Sequence, residues 1–365
     1  MKVGVTGGSG LIGWHVRCRL QVADGVETVQ ADRATLADTG ALADFVAGCD
    51  AVVHLAGAIR GPDDEVTEGN VGLADRLVGA FERAGATPHL VYAGSAGTPR
   101  HPAYTRAKEE AGTRLGAWAE RHGAHYTGLV LPQVFGEGGR PFHNSVVSTF
   151  CHQLAIGATP TVEEDSGLEL LHAQDVADLV VDALERPGRV QLRPVGRAVT
   201  VSALLSELGE LAGCYTDHRI PDLTDPFRLG LFNTLRSFLY PDHYPVALPP
   251  RSDERGRLVE LVRSQTPGQT FASDTAPGHT RGNHFHLRKV ERFVVLRGRG
   301  AIRIRRLFDD EVIEFVVDGS EPGYVDIPTL HTHHITNVGD DTLTTLFWAN
   351  EIFDPERPDT WTEAT

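Results

Sequence analysis

Residues 6–13 read TGGSGLIG, and this loop constrains the fold more than any other feature of the chain. It follows a short apolar run at 3–6 and opens a helical pattern at 11–20. Gly7 permits the tight turn, Gly10 lets the backbone approach a pyrophosphate, and Gly13 lets the helix pack close to a sheet. The start of that helix, at Leu11, Ile12 and Gly13, offers unpaired N–H groups to phosphate. Apolar runs at 51–56, 90–93 and 126–131 alternate with amphipathic stretches at 72–84, 104–121 and 175–185. Such alternation predicts a parallel sheet covered on both faces, an α/β Rossmann-type domain. Residues 201–212 are again helical in pattern, and 221–244 are mixed, with Pro and aromatics.

A length of 365 residues exceeds one ordinary domain. PVALPP at 245–250 breaks any regular element, so the expected division is 1–244 and 245–365. Beyond it lie short strand-like runs at 257–262, 292–296, 300–305, 311–317 and 342–347. Residues 298–299 and 309–310 are the expected hairpin turns. Many short strands without a long helix predict an all-β barrel.

Acidic residues number 49 against 34 basic ones, a formal charge of −15. That balance argues against nucleic acid or an anionic membrane as partner, and leaves room for an anionic small substrate in a local positive pocket. Four scattered cysteines without a CxxC fit reduced thiols and a cytoplasmic protein. No apolar run of about 18 residues predicts a membrane span.

Two constellations carry chemistry. Tyr104 and Lys108 lie four apart on a predicted helix, so they share a face. An ammonium beside a phenol is expected to lower the phenol's pKa. Such a Tyr can exchange a proton with a carbonyl or alcohol oxygen while hydride moves at carbon. Ser95 ends the preceding strand and can hydrogen-bond the same oxygen. The bland reading of Tyr104 and Lys108 is an ordinary exposed helix face. Asp32 suits a ribose hydroxyl and points to NAD, whereas Arg33 suits a 2′-phosphate and points to NADP.

In the second half, Gly278, His284, His286, Glu291 and Gly298 form G-x5-H-x-H-x4-E-x6-G. Downstream stands Pro328-x-Leu330-x-x-His333-x-x-x-Asn337. His284 and His286 alternate along a strand, Glu291 begins the next, and His333 can arrive from a facing one. Three imidazoles and a carboxylate suit zinc or another divalent metal; a metal-free polar interior is the bland alternative.

The joint pattern of TGGSGLIG, HLAG (54–57), Ser95, Tyr104 and Lys108 resembles the extended short-chain dehydrogenase/reductases over residues 1–240. Asn70, PQVFG (132–136) and HAQD (172–175) sit where that family has later motifs. The resemblance implies a bound NADP or NAD, with Leu55, Ala56 and Gly57 beside it, a Ser95/Tyr104/Lys108 catalytic set and nucleotide-sugar substrates. The second constellation matches both cupin motifs. Leu330 stands where the second motif usually has Gly, and is expected to reshape the turn before His333. Together the halves resemble the bifunctional CapF-like enzymes of bacterial capsular polysaccharide synthesis, most specifically at FHNSVVSTFC (142–151), RGNHFH (281–286) and WANEIFDPERPDT (348–360).

That resemblance implies a cupin that epimerises C3 of a UDP-linked 4-keto-6-deoxy-N-acetylhexosamine. A reductase domain then reduces the C4 ketone. It makes His284, His286, Glu291 and His333 the metal ligands, and His331 and Asp326 candidates for the proton-moving group. Ser9 and Val130 depart from basic residues usual in relatives. Alternatives are a single-activity keto-sugar reductase with a structural or dimerising cupin, and a non-catalytic sugar-binding protein. Barrel edge strands suggest a homodimer.

Overall fold

The computed structural model describes residues 1–97 and 101–365. These form two compact units: residues 1–135 with 166–199, and 136–165 with 200–365. Compactness therefore divides the chain elsewhere than at the 244/245 break. Residues 136–165 and 200–244 belong with the barrel.

The first unit is built on six parallel strands: β1 (Lys2–Thr6), β2 (Glu27–Ala31), β3 (Ala51–His54), β4 (His89–Ser95), β5 (Tyr126–Leu131) and β6 (Arg189–Leu192), in the order β2-β1-β3-β4-β5-β6. Strand alternation feeds two cores. Val3, Val5, Ala51 and Val53 face α1 (Leu11–Leu20) and the helix Ala173–Glu185. Val52, Leu90 and Tyr92 face the helices Thr39–Ala47, Leu73–Ala84 and α2 (Pro102–His122), where Phe81 stacks on Trp118. A sheet covered on both sides needs such continuous apolar strands. The order reverses at β1, so the loops after β1 and β3 open at the topological switch point, where α/β folds bind ligands.

The second unit holds two five-stranded antiparallel sheets. One sheet comprises Val246–Ala247, β12 (Gly323–Ile327), β9 (Glu291–Arg297), β14 (Leu343–Ala349) and β7 (Gln269–Thr275), in that order. The other runs β11 (Val312–Asp318), β10 (Arg299–Arg306), β13 (His331–Asn337), β8 (Thr280–Phe285) and β15 (Trp361–Thr362). The expected hairpin at 298–299 is instead a corner. Gly298, at φ +80°, carries the chain from β9 in one sheet to β10 in the other, and the two strands do not pair. The turn at 309–310 does join a pair, β10 and β11. The strand expected at 257–262 is displaced to a hairpin of Arg251–Asp253 with Gly256–Leu258.

Helices α3 (Val146–Ala155), α4 (Val201–Thr216) and α5 (Pro226–Leu239) complete this unit. Within the mixed stretch 221–244, Pro226 starts α5, where its missing N–H costs nothing. A buried polar chain ties the helices to the barrel. Arg292 grips Asp326 through Nε and Nη2 at 2.7 and 2.8 Å, and the Tyr215 hydroxyl donates to the same carboxylate at 2.5 Å. Tyr215 also bonds the Tyr244 hydroxyl, and Arg236 donates to the Ile327 carbonyl. Burial pushes the Asp326 carboxyl up, but the Arg292 guanidinium outweighs it and holds the pKa below the usual range.

Removing one partner of a buried pair strands the other charge. Asp326→Ala is expected to destabilise the second unit by about 3–5 kcal/mol. Arg292→Met with Asp326→Leu should lose far less. Urea unfolding should show one transition moving in the single variant while that of the first unit stays put.

Candidate functional site

In the first unit the glycine loop has the geometry its spacing implies. Gly7 sits at φ +71°, and a Cβ there would lie 2.7 Å from the Ala56 nitrogen. A Cβ on Gly13 would lie 2.1 Å from the Gly7 carbonyl oxygen. Gly10 is the N-cap of α1 and has no side chain with which to cap the first-turn N–H groups of Leu11, Ile12 and Gly13. Thr6 locks this loop to the one after β3: its Oγ1 accepts from Leu55 and Ala56 N–H at 3.2 Å each. Its own hydroxyl then donates to His54 Nδ1 at 2.7 Å. Burial, with Lys108 nearby, pulls the His54 pKa down to about 3, so that ring is neutral. Thr6 stands first in TGGSGLIG, but the spacing of the glycines gave its side chain no role.

Asp32 caps the short helix Arg33–Ala37, its Oδ1 accepting from Thr35 N and Oγ1 at 2.7 and 2.8 Å. Those bonds, the Thr35 N–H first, hold its pKa below the usual range. Arg33 opens that helix from an exposed position.

Ser95 ends β4, and its Oγ accepts from Gly97 N–H at 3.1 Å. Tyr104 and Lys108 lie in the first turns of α2, with Tyr104 packed against Val66, Val71 and Ala107. Lys108 is buried, its Nζ 4.5 Å from the centre of the Tyr92 ring. A Cβ built on Gly57 would meet Asn70 Oδ1 at 2.4 Å and Lys108 Nζ at 3.8 Å, so the loop after β3, Asn70 and Lys108 converge. The expected lowering of the Tyr104 pKa by Lys108 is not present. Burial pushes Tyr104 up to about 12 and pulls Lys108 down to about 7. A half-neutral amine exerts too little field to offset desolvation of the phenol.

The second unit brings all four sequence-predicted ligands together. The donor atoms of His284, His286, Glu291 and His333 lie within 4.8 Å of one another. Glu291 Oε2 is 2.9 Å from His286 Nε2, 3.4 Å from His333 Nε2 and 3.9 Å from His284 Nε2. His284 and His333 are cross-strand neighbours in one sheet, and Glu291 reaches in from the other. His286 lies just past the end of β8, and a bulge between Gly282 and His284 sets its approach. Nε2 of His286 and of His333 are buried and face only Glu291 Oε2 among the described residues. Their other nitrogens are engaged: His286 Nδ1 is 2.5 Å from the Asp359 carbonyl, and His333 Nδ1 is 3.3 Å from the His331 carbonyl. A carbonyl only accepts, so each ring carries a proton on Nδ1 and directs Nε2 at Glu291. Burial lowers His333 to about 4, which keeps it neutral. Burial disfavours charge on both His286 and Glu291, yet each holds the other ionised: the Glu291 carboxylate raises the His286 pKa, and the His286 charge with bonds from the imidazoles holds Glu291 well below the carboxylate range. Three Nε2 atoms converging on one ionised carboxylate are a donor set that fits a divalent cation, which would take the place of the His286 Nε2 proton.

Leu330 holds the turn before His333 in a left-handed conformation. It adopts φ +62° itself, donating N–H to the His286 carbonyl at 2.8 Å. Its fully buried side chain offsets the strain of a left-handed conformation. Asp326 sits in register opposite Arg292, one residue out of step with Glu291, so its side chain lies on the face away from the ligand cluster. His331 shares the His333 face, with Nδ1 2.7 Å from the Thr329 carbonyl and its ring against Tyr240. Sequence reasoning missed Asp359 and Asn350. Their signal was the WANEIFDPERPDT segment, quoted only for its specificity.

A dinucleotide-type fold carrying a Ser, Tyr and Lys set is thus joined in one chain to a cupin-like barrel with a four-donor cluster. Residues 3–193 match the NAD dependent epimerase/dehydratase family, and residues 251–361 match the polysaccharide biosynthesis C-terminal domain. The chain is 31% identical over 368 positions to a UDP-2-acetamido-2,6-beta-L-arabino-hexul-4-ose reductase of Pseudomonas aeruginosa, covering 99% of this chain and 98% of that one. The crystal structure of the capsular polysaccharide assembling protein CapF from Staphylococcus aureus is similar throughout, with a TM-score of 0.62, 29% identity and 100% of both chains covered. UDP-glucose 4-epimerase from Thermotoga maritima shares the fold alone, at 21% identity and a TM-score of 0.51 over 58% of this chain and 83% of that one. The chain belongs to the NAD-dependent epimerase/dehydratase family and, within it, to the CapF-like proteins.

Lys108 sets a pH dependence. Its folded pKa of about 7 lies below the ordinary 10.5, so the cost of burying its charge is fully present below pH 7. Between these values the unfolded chain holds more protons, and stability rises with pH. Urea midpoints of the dinucleotide-free protein should climb from pH 7.5 to 9.5, and Lys108→Met should flatten that climb.

Proposed function

We propose that the protein is a two-step nucleotide-sugar enzyme. Its barrel unit epimerises C3 of a UDP-linked 4-keto-6-deoxy-N-acetylhexosamine, and its first unit reduces the C4 ketone with NADPH or NADH. What carries the reading is the presence of both chemical sets, Tyr104 with Lys108 and the four-donor cluster, in one chain similar over its whole length to a UDP-keto-sugar reductase.

In the first unit, Gly7, Gly10, Leu11, Ile12 and Gly13 cradle the dinucleotide diphosphate, and the helix N-terminus favours its charge. Asp32 and Arg33 flank the adenosine ribose, and Leu55, Ala56 and Gly57 line the cofactor's other side. The dinucleotide supplies hydride. Tyr104, protonated at neutral pH because burial raises its phenol, donates a proton to the C4 oxygen as that carbon is reduced. Ser95 orients the ketone. Lys108 holds the nicotinamide ribose and is positioned to share a proton with the phenol.

In the barrel, His284, His286, Glu291 and His333 hold a zinc or similar divalent ion, which supplies Lewis acidity beside the substrate carbonyl. The C3 hydrogen is acidic because C4 is a carbonyl carbon. His331, on the ligand face, is the candidate for moving that proton; Asp326 is engaged with Arg292 on the other face and drops out of that role. The enzyme acts in the cytoplasm as a homodimer, its barrel edge strands being the natural pairing surface. No helix among the described residues is long and apolar enough to cross a membrane.

Tyr104→Phe should slow ketone reduction by at least about 100-fold while leaving deuterium exchange at C3 intact. Chelation or His333→Ala should abolish the exchange and, with it, reduction starting from the unepimerised sugar, while sugar already epimerised at C3 is still reduced. Absorbance loss of NADPH and mass spectrometry of the sugar in deuterium oxide read the two steps. If metal-loaded protein reduces the ketone without any wash-in, the barrel is structural and the single-activity reading holds. If Tyr104→Phe abolishes both, the division of labour is wrong.

A further inference from the structure

His286 and Glu291 are separated by a loop with little sheet pairing of its own, so its geometry must be fixed from elsewhere. Three consecutive amides of that loop converge on one side chain. Leu287 N–H donates to Asp359 Oδ1 at 2.9 Å, and Arg288 and Lys289 N–H donate to Oδ2 at 2.9 and 2.8 Å. The next amide, of Val290, donates to Asn350 Oδ1 at 2.8 Å. The backbone carbonyl of the same Asp359 takes the His286 Nδ1 proton at 2.5 Å. Lys289 Nζ closes the loop from the other side on the Pro358 carbonyl at 2.6 Å and Thr360 Oγ1 at 3.0 Å. Two residues further on, β15 pairs with β8 at Phe285 and His284.

Asp359 therefore sets both the backbone path through the ligand loop and the tautomer of one ligand. Both its carboxylate oxygens are spent on N–H groups, so it is not itself a ligand. It sits at φ +36°, a conformation that its docked contacts must hold in place. The chain from Glu351 to Arg357 that leads to it is solvent-exposed.

We propose that residues 358–363 form a strap whose docking holds the metal site in its ligating geometry, with Asp359 as the positioning residue. The proposal rests on the reading of the four-donor cluster as a divalent-cation site. Linkage then requires reciprocity: a docked strap tightens the metal, and bound metal tightens the strap.

The test uses the full chain and Zn2+ or Co2+ alone. Competition with a chromophoric chelator should show Asp359→Asn binding either ion about 10–100-fold more weakly than wild type. The metal-free variant should melt close to metal-free wild type, and its Co2+ complex should show an altered visible spectrum. Should that variant fail to fold, hydrogen exchange on wild type decides. Added Zn2+ is expected to slow exchange in 287–290 and 358–363 together. Equal affinity in the variant, or protection confined to 284–291, overturns the strap while leaving the metal centre standing. Wild-type protein that takes up no metal overturns both.

Discussion

Glu291 and Arg292 are chain neighbours on one strand, and the two-residue alternation of a β-strand sends them to opposite faces. Glu291 points into the barrel among three imidazoles. Arg292 points out, into a buried pair with Asp326 that Tyr215 joins from α4. A one-residue slip of this strand would exchange the two, placing a guanidinium among the imidazoles and a carboxylate against Asp326. The ion pair and the donor cluster therefore fix the same register from two sides. The helices that carry Tyr215 and Arg236 are for this reason part of the barrel unit.

In the first unit the governing effect is desolvation. His54, Tyr104 and Lys108 are each pushed toward their neutral forms, to about 3, 12 and 7. A neutral phenol is the proton-carrying form that ketone reduction calls for. The Lys108 amine stands near its midpoint at physiological pH, so a nearby anion or ribose hydroxyl shifts its charge at small cost. The chemistry of this set is thus tuned by burial, and the four-residue spacing alone implied the opposite sign for Tyr104.

Much of the site was legible in the sequence because it is local. The glycine loop, the Tyr104–Lys108 pair and the His284–His286–Glu291 run each lie within one or two elements, where periodicity dictates which side chains share a face. His333 lies outside that range, but a second motif marked it. Gly298 was legible as a turn and not as a sheet-changing corner, since a left-handed glycine serves both. Leu330 reads as a departure, and burial of its side chain stabilises a left-handed backbone conformation that glycine would adopt freely.

Reading along the chain was enough to pick out the candidate side chains and their order: the glycine loop, the phenol–amine pair and the three imidazoles with a carboxylate that cluster in the barrel. Tertiary structure decided what state and position they hold. Asp359 lies 73 residues from His286 and nothing in local spacing links them, yet its carbonyl fixes which nitrogen of that ring bears the proton. Spacing along a chain encodes direction within an element, whereas desolvation and hydrogen-bond closure depend on segments that meet only when the chain is folded.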